Sequence, residues 1–462
     1  TGPGAGRALA EWLVDGHPTL DLSAMDPARC EEFQARDVYL RERCPETLVR
    51  TYAMHWPNYQ RQTARNIRRS PFHFGLAEKG ACFTEVQGWE RPGWYAPPGV
   101  TPEYEYSFGR SNWFDFSLNE QRAARERVAI IDYSMLGKIM IEGSDAEAFL
   151  QRLCTNDMAI SCDRVTYTLI LNERGGIESD ATVARYDTDR FMLMSSISRT
   201  RRDFRLLEGL IRPGEHVRLR DDTASYGVLG IMGPQSRALL AAITDINVSN
   251  EMFPFNCIKQ CHIGHAKVTV QRLSYSGELG WEIFITPDFA SHVLDIILTA
   301  GEAFDAQLLG AEALNALRIE KGFRHWGHDM SYTEAPHQVG LDFVCKTKKT
   351  PAFIGLEAYL QRKLEANGPY LCAIRLCDPT PLMHHNEPVL CDGQVVGYIT
   401  SAAFSAHFNC AIGLCLIELP IDAGAKAATV ATHYSVVIEG NPVSAEVSLI
   451  PFYDAKNERM LS

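Results

Sequence analysis

Two stretches decide how this chain is read: Tyr275-Ser276-Gly277-Glu278-Leu279-Gly280-Trp281-Glu282 and, further along, Leu317-Arg318-Ile319-Glu320-Lys321-Gly322-Phe323-Arg324-His325-Trp326-Gly327. The first puts a pair of turn-forming glycines, an aromatic ring and two carboxylates into one short segment. The second starts as a helix-compatible run and breaks at glycine. On spacing alone this is a polar loop, or a hairpin with surface acids, followed by a helix. Arg318 and Glu320 stand two apart on that helix and so face different ways, which suits structural bonds to neighbouring elements.

Working outward from there, strands alternate with helices up to about residue 345. Asn119 is placed to cap a helix over Glu120–Val128, and Ala129-Ile-Ile-Asp-Tyr133 follows as a strand. Ser144-x-x-Glu147 before Phe149, Leu150 and Leu153 has the form of a capping box, predicting a helix over 145–154. Val165–Leu171 and Ile177–Tyr186 read as a hairpin joined by Asn172-Glu-Arg-Gly-Gly176, and Phe191–Ser195 as a further strand. The pattern predicts an α+β layering of strands and helices over 111–345, a connector at 346–369, and a small antiparallel barrel or sandwich over 370–462.

The N-terminal part reads differently. Ala8–Val14 is a short amphipathic helix candidate, and Gly2-x-Gly4-x-Gly6 is read as a loop because no strand can precede it. Residues 51–110 are rich in arginine and aromatic rings. That mixture can bind single-stranded nucleic acid, yet the formal charge of −12 argues against it. A linker whose rings pack between domains is expected instead.

The totals describe an ordinary globular protein: 462 residues, 46% apolar and 22% charged, enough for two to four domains. No apolar run approaches the ~20 residues of a membrane span. Thirteen cysteines without a CxxC pair point to reduced thiols, in cytoplasm or a mitochondrial matrix. Cys257, Cys261, His262 and His265 abut too closely to fold round an ion, so no metal is expected.

The motifs resemble the folate-binding aminomethyltransferase module found in the glycine-cleavage T-protein and in the C-terminal half of dimethylglycine and sarcosine dehydrogenases. Tyr275–Glu282 is similar to the family's Tyr-Thr-Gly-Glu-x-Gly-x-Glu, with Ser276 for Thr. Gly175-Gly-Ile-Glu-Ser-Asp180-Ala-Thr-Val183 is similar to Gly-Gly-Ile-x-Asp-Asp-x-x-Val, with Ser179 in place of the first acid, as the dehydrogenase branch commonly has it. Ile319–Trp326 and Val339–Lys346 resemble sarcosine dehydrogenase. Gly4–Leu22 looks like the tail of an FAD domain, hence a boundary at residue 50, and Gly88–Tyr95 like the junction that follows it.

What the resemblance implies is a three-domain disc of two α/β lobes plus a small C-terminal β-barrel, with tetrahydrofolate in its central opening. Asp180 would stand beside the reactive folate nitrogens. On pattern alone Asp180 shares a strand face with Glu178 and Thr182, and a solvated face is the plainer reading. Tyr275 would pack near the folate and Glu282 would hold the pterin ring, while Thr182 and Ser195 are weaker carry-overs as folate contacts. Leu314 stands where the T-protein form has a folate-contacting arginine, which leaves open how the folate tail is held. The implied activity is capture of an iminium or formaldehyde unit as 5,10-methylenetetrahydrofolate. The implied partners are a small N-methylated amine or amino acid and an FAD-binding dehydrogenase domain or subunit. A flavin-independent folate-dependent demethylase and a non-catalytic regulatory subunit of the same fold are the alternatives.

Overall fold

The computed structural model describes residues 2–365, 368–418 and 433–462. The expected α+β architecture is present as two sheet-based lobes and a barrel. The first lobe is a six-stranded sheet in the order Ile258–Ile263, Ala266–Gln271, Gly280–Ile285, Gly227–Met232, Ala129–Asp132, Gln307–Leu308, antiparallel except for its last pair. The second is a five-stranded antiparallel sheet in the order Arg164–Leu171, Ile177–Asp187, Arg190–Ser195, Gly137–Glu142, Arg218–Asp221. Six antiparallel strands between Tyr370 and Ser448 close into the C-terminal barrel.

Strand alternation gives each sheet two different faces. In Gly280–Ile285, Trp281, Ile283 and Ile285 enter a core shared with the helix Ala290–Gly301. Phe284, on the opposite face, joins Tyr133, Met192, Met194 and Leu317 in the layer between the two sheets. In Ile177–Asp187, Ala181 and Val183 pack with Phe149 and Leu150 of the helix Ala146–Leu153, leaving Asp180 and Thr182 on the inner face. Every position in Gly280–Ile285 is buried. Glu282 is therefore not a surface group, and Asp180 is half-buried, which the alternation alone could not reveal.

The hairpin turn before Asp180 is fixed by its two glycines. Gly175 has φ +78°, and a Cβ on Gly176 would sit 1.9 Å from the carbonyl oxygen of Tyr332. Only the bare backbone lets the 329–335 loop close over this strand, where Trp326 Nε1 also donates to the Ile177 carbonyl at 2.8 Å.

Several local expectations are corrected. The helix that was to begin at Asn119 runs Phe114–Glu126, so Asn119 lies inside it and accepts from Arg122 at 2.7 Å. Burial of Phe114 against Phe404 of the barrel supplies the extra turn. The helix Ala146–Leu153 forms without a capping box, because the Asp145 carboxylate accepts from the His216 backbone and Glu147 pairs with Arg185 at 2.7 Å. Gly2, Gly4 and Gly6, read as loop, belong to the helix Gly2–Asp15: glycine lowers helix propensity but poses no steric bar to it. Residues 81–95, within the stretch read as a linker, form the hairpin Ala81–Val86/Trp89–Tyr95, and buried Trp94 stacks on Phe116 at 5.5 Å. Residues 346–369 contain the helix Leu356–Glu365.

The lobes and barrel meet on the helix Ala311–Glu320. Arg125 grips Glu320 through Nε and Nη2 (2.9 and 2.6 Å) and reaches Glu278 at 3.0 Å, and Glu320 also accepts from Ser405 of the barrel at 2.5 Å. Arg318 donates to Asp329 at 2.5 Å and to Ser401 at 2.7 Å, and Asp329 accepts from Thr400 at 2.6 Å. All five charged groups are buried, so Arg318 and Glu320 serve as the structural bonds expected of them.

Removing one member of such a set strands its partners as buried charge, at a cost of ~3–5 kcal/mol. Arg125→Met is expected to destabilise the protein by about that much in urea unfolding. Arg375→Met, which breaks the largely exposed Arg375–Glu446 pair of the barrel, should cost less than about 1 kcal/mol. Equal midpoints for the two variants would contradict this account.

Candidate functional site

The two inner faces, the helix Ala311–Glu320 and the barrel enclose a cavity of about 1290 Å³. Asp180, Thr182, Ser195, Tyr275 and Glu282 all line it, although they come from four segments spread over more than a hundred positions of sequence. Leu314 is in its wall as well.

Glu282 is buried, and its Oε2 has no hydrogen-bond partner. Burial pushes its carboxyl up to about 7, held back only by the field of Lys138. Lys138 is itself fully buried on the neighbouring sheet, and its Nζ donates to the carbonyls of Ser134, Leu136 and Thr223 at 2.8–3.2 Å. Burial brings its ammonium down to about 7. Lys138 thus pins the 134–136 loop beside the cavity and supplies the nearest positive field to Glu282. An unpaired buried carboxyl is costly. On a cavity wall its free oxygen is open to hydrogen-bond donors from within the cavity.

Asp180 occupies another part of the wall. Tyr167, its neighbour on the adjacent strand, donates to Oδ2 at 3.0 Å. Burial pushes Asp180 up to about 6, the Tyr167 bond opposing it. A carboxyl poised there can both accept and return a proton near neutral pH. Tyr275 donates its hydroxyl to the Arg324 carbonyl at 3.1 Å and stacks on Phe323 with centroids 5.8 Å apart, and burial pushes its phenol up to about 12.

The remaining two residues differ. Thr182 pairs across the sheet with Tyr167 and Met194, half-buried at the wall. Ser195 shares a strand face with Phe191 and Leu193, and its hydroxyl, like that of Ser179, faces the buried carboxyl of Asp203 on the helix Thr200–Gly209.

Sequence reasoning missed Tyr133, Tyr167, Lys138 and Arg324. Tyr133 is buried with a hydroxyl lacking any partner and lies in the field of Glu282 and Tyr275. The available signal was weak: Tyr133 follows a strand, and Lys138 sits in an otherwise apolar one, Gly137–Glu142. Of the Cys257–His265 cluster, Cys261 is buried in the first core and His262 pairs with Asp245 at 2.9 Å. Among the described residues no helix is long and apolar enough to cross a membrane.

Comparison with known proteins places this geometry. The GCVT N-terminal domain matches residues 72–349, and the glycine cleavage T-protein C-terminal barrel domain matches residues 370–454. The FAD dependent oxidoreductase central domain matches residues 15–70. A 4-methylaminobutanoate oxidase (formaldehyde-forming) of Paenarthrobacter nicotinovorans is 39% identical over 99% of this chain and 55% of its own length. Mitochondrial dimethylglycine dehydrogenase of Rattus norvegicus is 32% identical over 87% of this chain and 47% of its own. The chain thus spans about half the length of the curated relatives it matches. The crystal structure of glycine cleavage system aminomethyltransferase T from Bartonella henselae shares the fold, with TM-score 0.72 at 21% identity over 86% of this chain and 100% of that one. The chain belongs to the glycine-cleavage T-protein family of enzymes, in the group that includes its dimethylglycine and sarcosine dehydrogenase relatives.

Proposed function

We propose that this chain is the tetrahydrofolate-binding part of an FAD-dependent N-methyl amine dehydrogenase or oxidase. It would take up the one-carbon unit released when a small methylated amine or amino acid is oxidised. The observation that carries the reading is Glu282: a buried carboxyl with an unpartnered oxygen, on the wall of a cavity that also holds Asp180.

The residues present fit a reduced folate. A 2-amino-4-oxo pterin offers two parallel N–H donors, which a carboxylate accepts as a pair. The cavity exceeds the ~300–1,000 Å³ usual for small-molecule sites, leaving room for a ligand with a long tail. Glu282 would hold the pterin edge and Tyr275 and Thr182 would flank the ring system, while Ser195, buried in the same wall, would be a lesser contact. When bound, the folate supplies the amine nitrogens that accept the one-carbon unit as 5,10-methylenetetrahydrofolate. Asp180 would stabilise the incoming cation and accept the proton those nitrogens shed, with Tyr167 fixing its orientation.

The oxidation step is assigned to an FAD-binding domain or subunit working with this chain. The match of residues 15–70 to an FAD oxidoreductase central domain favours this over a flavin-independent demethylase. These residues are strapped to the second lobe by Arg202–Asp26 at 2.8 Å and to the 68–95 sheet by Arg68–Glu31 at 2.9 Å. An unsatisfied acid in the cavity would serve no purpose in a regulatory subunit. All thirteen cysteines are free and seven are buried, which suits a reducing compartment, cytoplasmic or mitochondrial.

Calorimetric titration with tetrahydrofolate tests the site. Glu282→Ala is expected to weaken binding at least about tenfold, in line with loss of a charge-assisted pair. Asp180→Asn should bind within a few-fold of wild type yet capture the one-carbon unit ~10²–10⁴ times more slowly. Failure of the wild-type chain to bind at high micromolar folate would leave the regulatory reading in front.

The same carboxyl predicts a pH dependence. Donors on the pterin favour ionised Glu282, which in the free protein protonates near 7, so affinity should fall as pH drops from 8 to 6, and Glu282→Gln should flatten the profile. Stability runs the other way. The folded-state value lies above the ordinary one, so the native state holds the extra proton between about 4.5 and 7, and stability is lost as pH rises through that window. Ligand-free Glu282→Gln should therefore melt about a few degrees above wild type at pH 8, and an unchanged melting temperature would count against the buried, unpaired acid.

A further inference from the structure

Arg324 is a cation on the cavity wall whose charge no protein carboxylate answers. Its Nε donates to the Val339 carbonyl and its Nη1 to the Gly322 carbonyl, both at 2.8 Å. Among the described residues no carboxylate lies within 4 Å of it. Asp329 acts on it from further away, but that charge is already neutralised by Arg318 at 2.5 Å. Arg91, also on the wall without an ion pair, shares its corner with the half-buried Glu312.

The position of the guanidinium is built rather than incidental. Residue 340 is a glycine at φ +66°, and a Cβ there would fall 2.7 Å from Arg324 Nη2. The backbone of Arg324 is tied down by the Tyr275 hydroxyl. Tyr167, which donates to Asp180, lies within the field of Arg324 as well. One tyrosine is thus flanked by an acid that suits a cationic nitrogen and an arginine that suits an anion.

We propose that Arg324 binds the carboxylate of the one-carbon donor, which reaches this cavity as a zwitterionic amino acid with its nitrogen at Asp180. Free formaldehyde, having no carboxylate, would make no use of Arg324. The inference rests on the proposed role of Asp180 and adds to it the residue that would select for a carboxylate on the donor. Arginine suits the task because its planar fork matches a carboxylate and its charge survives burial.

The test titrates the full chain, without folate, with N,N-dimethylglycine, with a homologue having two further methylenes between amine and carboxylate, and with the methyl ester of each. At least one acid is expected to bind roughly tenfold or more tighter than its ester. Arg324→Gln should erase that preference, Arg324→Lys should keep part of it, and tetrahydrofolate affinity in Arg324→Gln should stay within about threefold of wild type, which also shows that the variant folds. Acid and ester binding alike to wild type, no binding of either acid, or an acid preference that survives in Arg324→Gln would each overturn the proposal. Absence of tetrahydrofolate binding to the wild-type chain would count against the folate reading alone, because the amino-acid titrations are run without it.

Discussion

The fold turns on one buried helix, Ala311–Glu320, and on the charges it carries. Arg318 and Glu320 could not be buried singly. Each is matched by partners from a different part of the chain: Glu320 by Arg125 of the first lobe and Ser405 of the barrel, Arg318 by Asp329 and Ser401. Satisfying both at once leaves lobe, loop and barrel little freedom to shift. The walls of the cavity are the surfaces left between these fixed bodies.

Against that saturated network the cavity is under-satisfied. Glu282 lacks a partner at one oxygen, Tyr133 lacks one for its hydroxyl, and Asp180 and Lys138 are both shifted toward neutrality by burial. The charges on the Ala311–Glu320 helix are paired, while Glu282 Oε2 and the Tyr133 hydroxyl are left open. Unmet hydrogen-bonding capacity on a cavity wall is one way a folded protein holds binding energy for a ligand, at the expense of its own stability.

How far the sequence could be read depended on the range of the forces involved. The hairpin around Gly175–Gly176, the face shared by Asp180 and Thr182, and the short antiparallel strands after residue 370 follow from period and turn chemistry, which are local; that those strands close into a barrel does not. The cap read at Asn119 failed, because burial of Phe114 starts that helix earlier; the helix read after Ser144 forms, but without its capping box, Asp145 bonding His216 and Glu147 pairing with Arg185 instead. Arg324 gave no signal at all, since an arginine after a helix is unremarkable until its surroundings are known.

The sequence by itself determined the element pattern, the family motifs and the residue types available for chemistry: carboxylates at 180 and 282, a tyrosine at 275, glycines where the backbone must turn. Only the tertiary structure decided that Glu282 is buried and Asp180 half-buried, that they share one cavity with Tyr167 and Arg324, and that Lys138 lies close enough to act on Glu282. The physical reason is that burial and electrostatic field are properties of what packs from elsewhere in the chain. A carboxylate on a strand face has the same sequence signature whether that face meets water or another sheet.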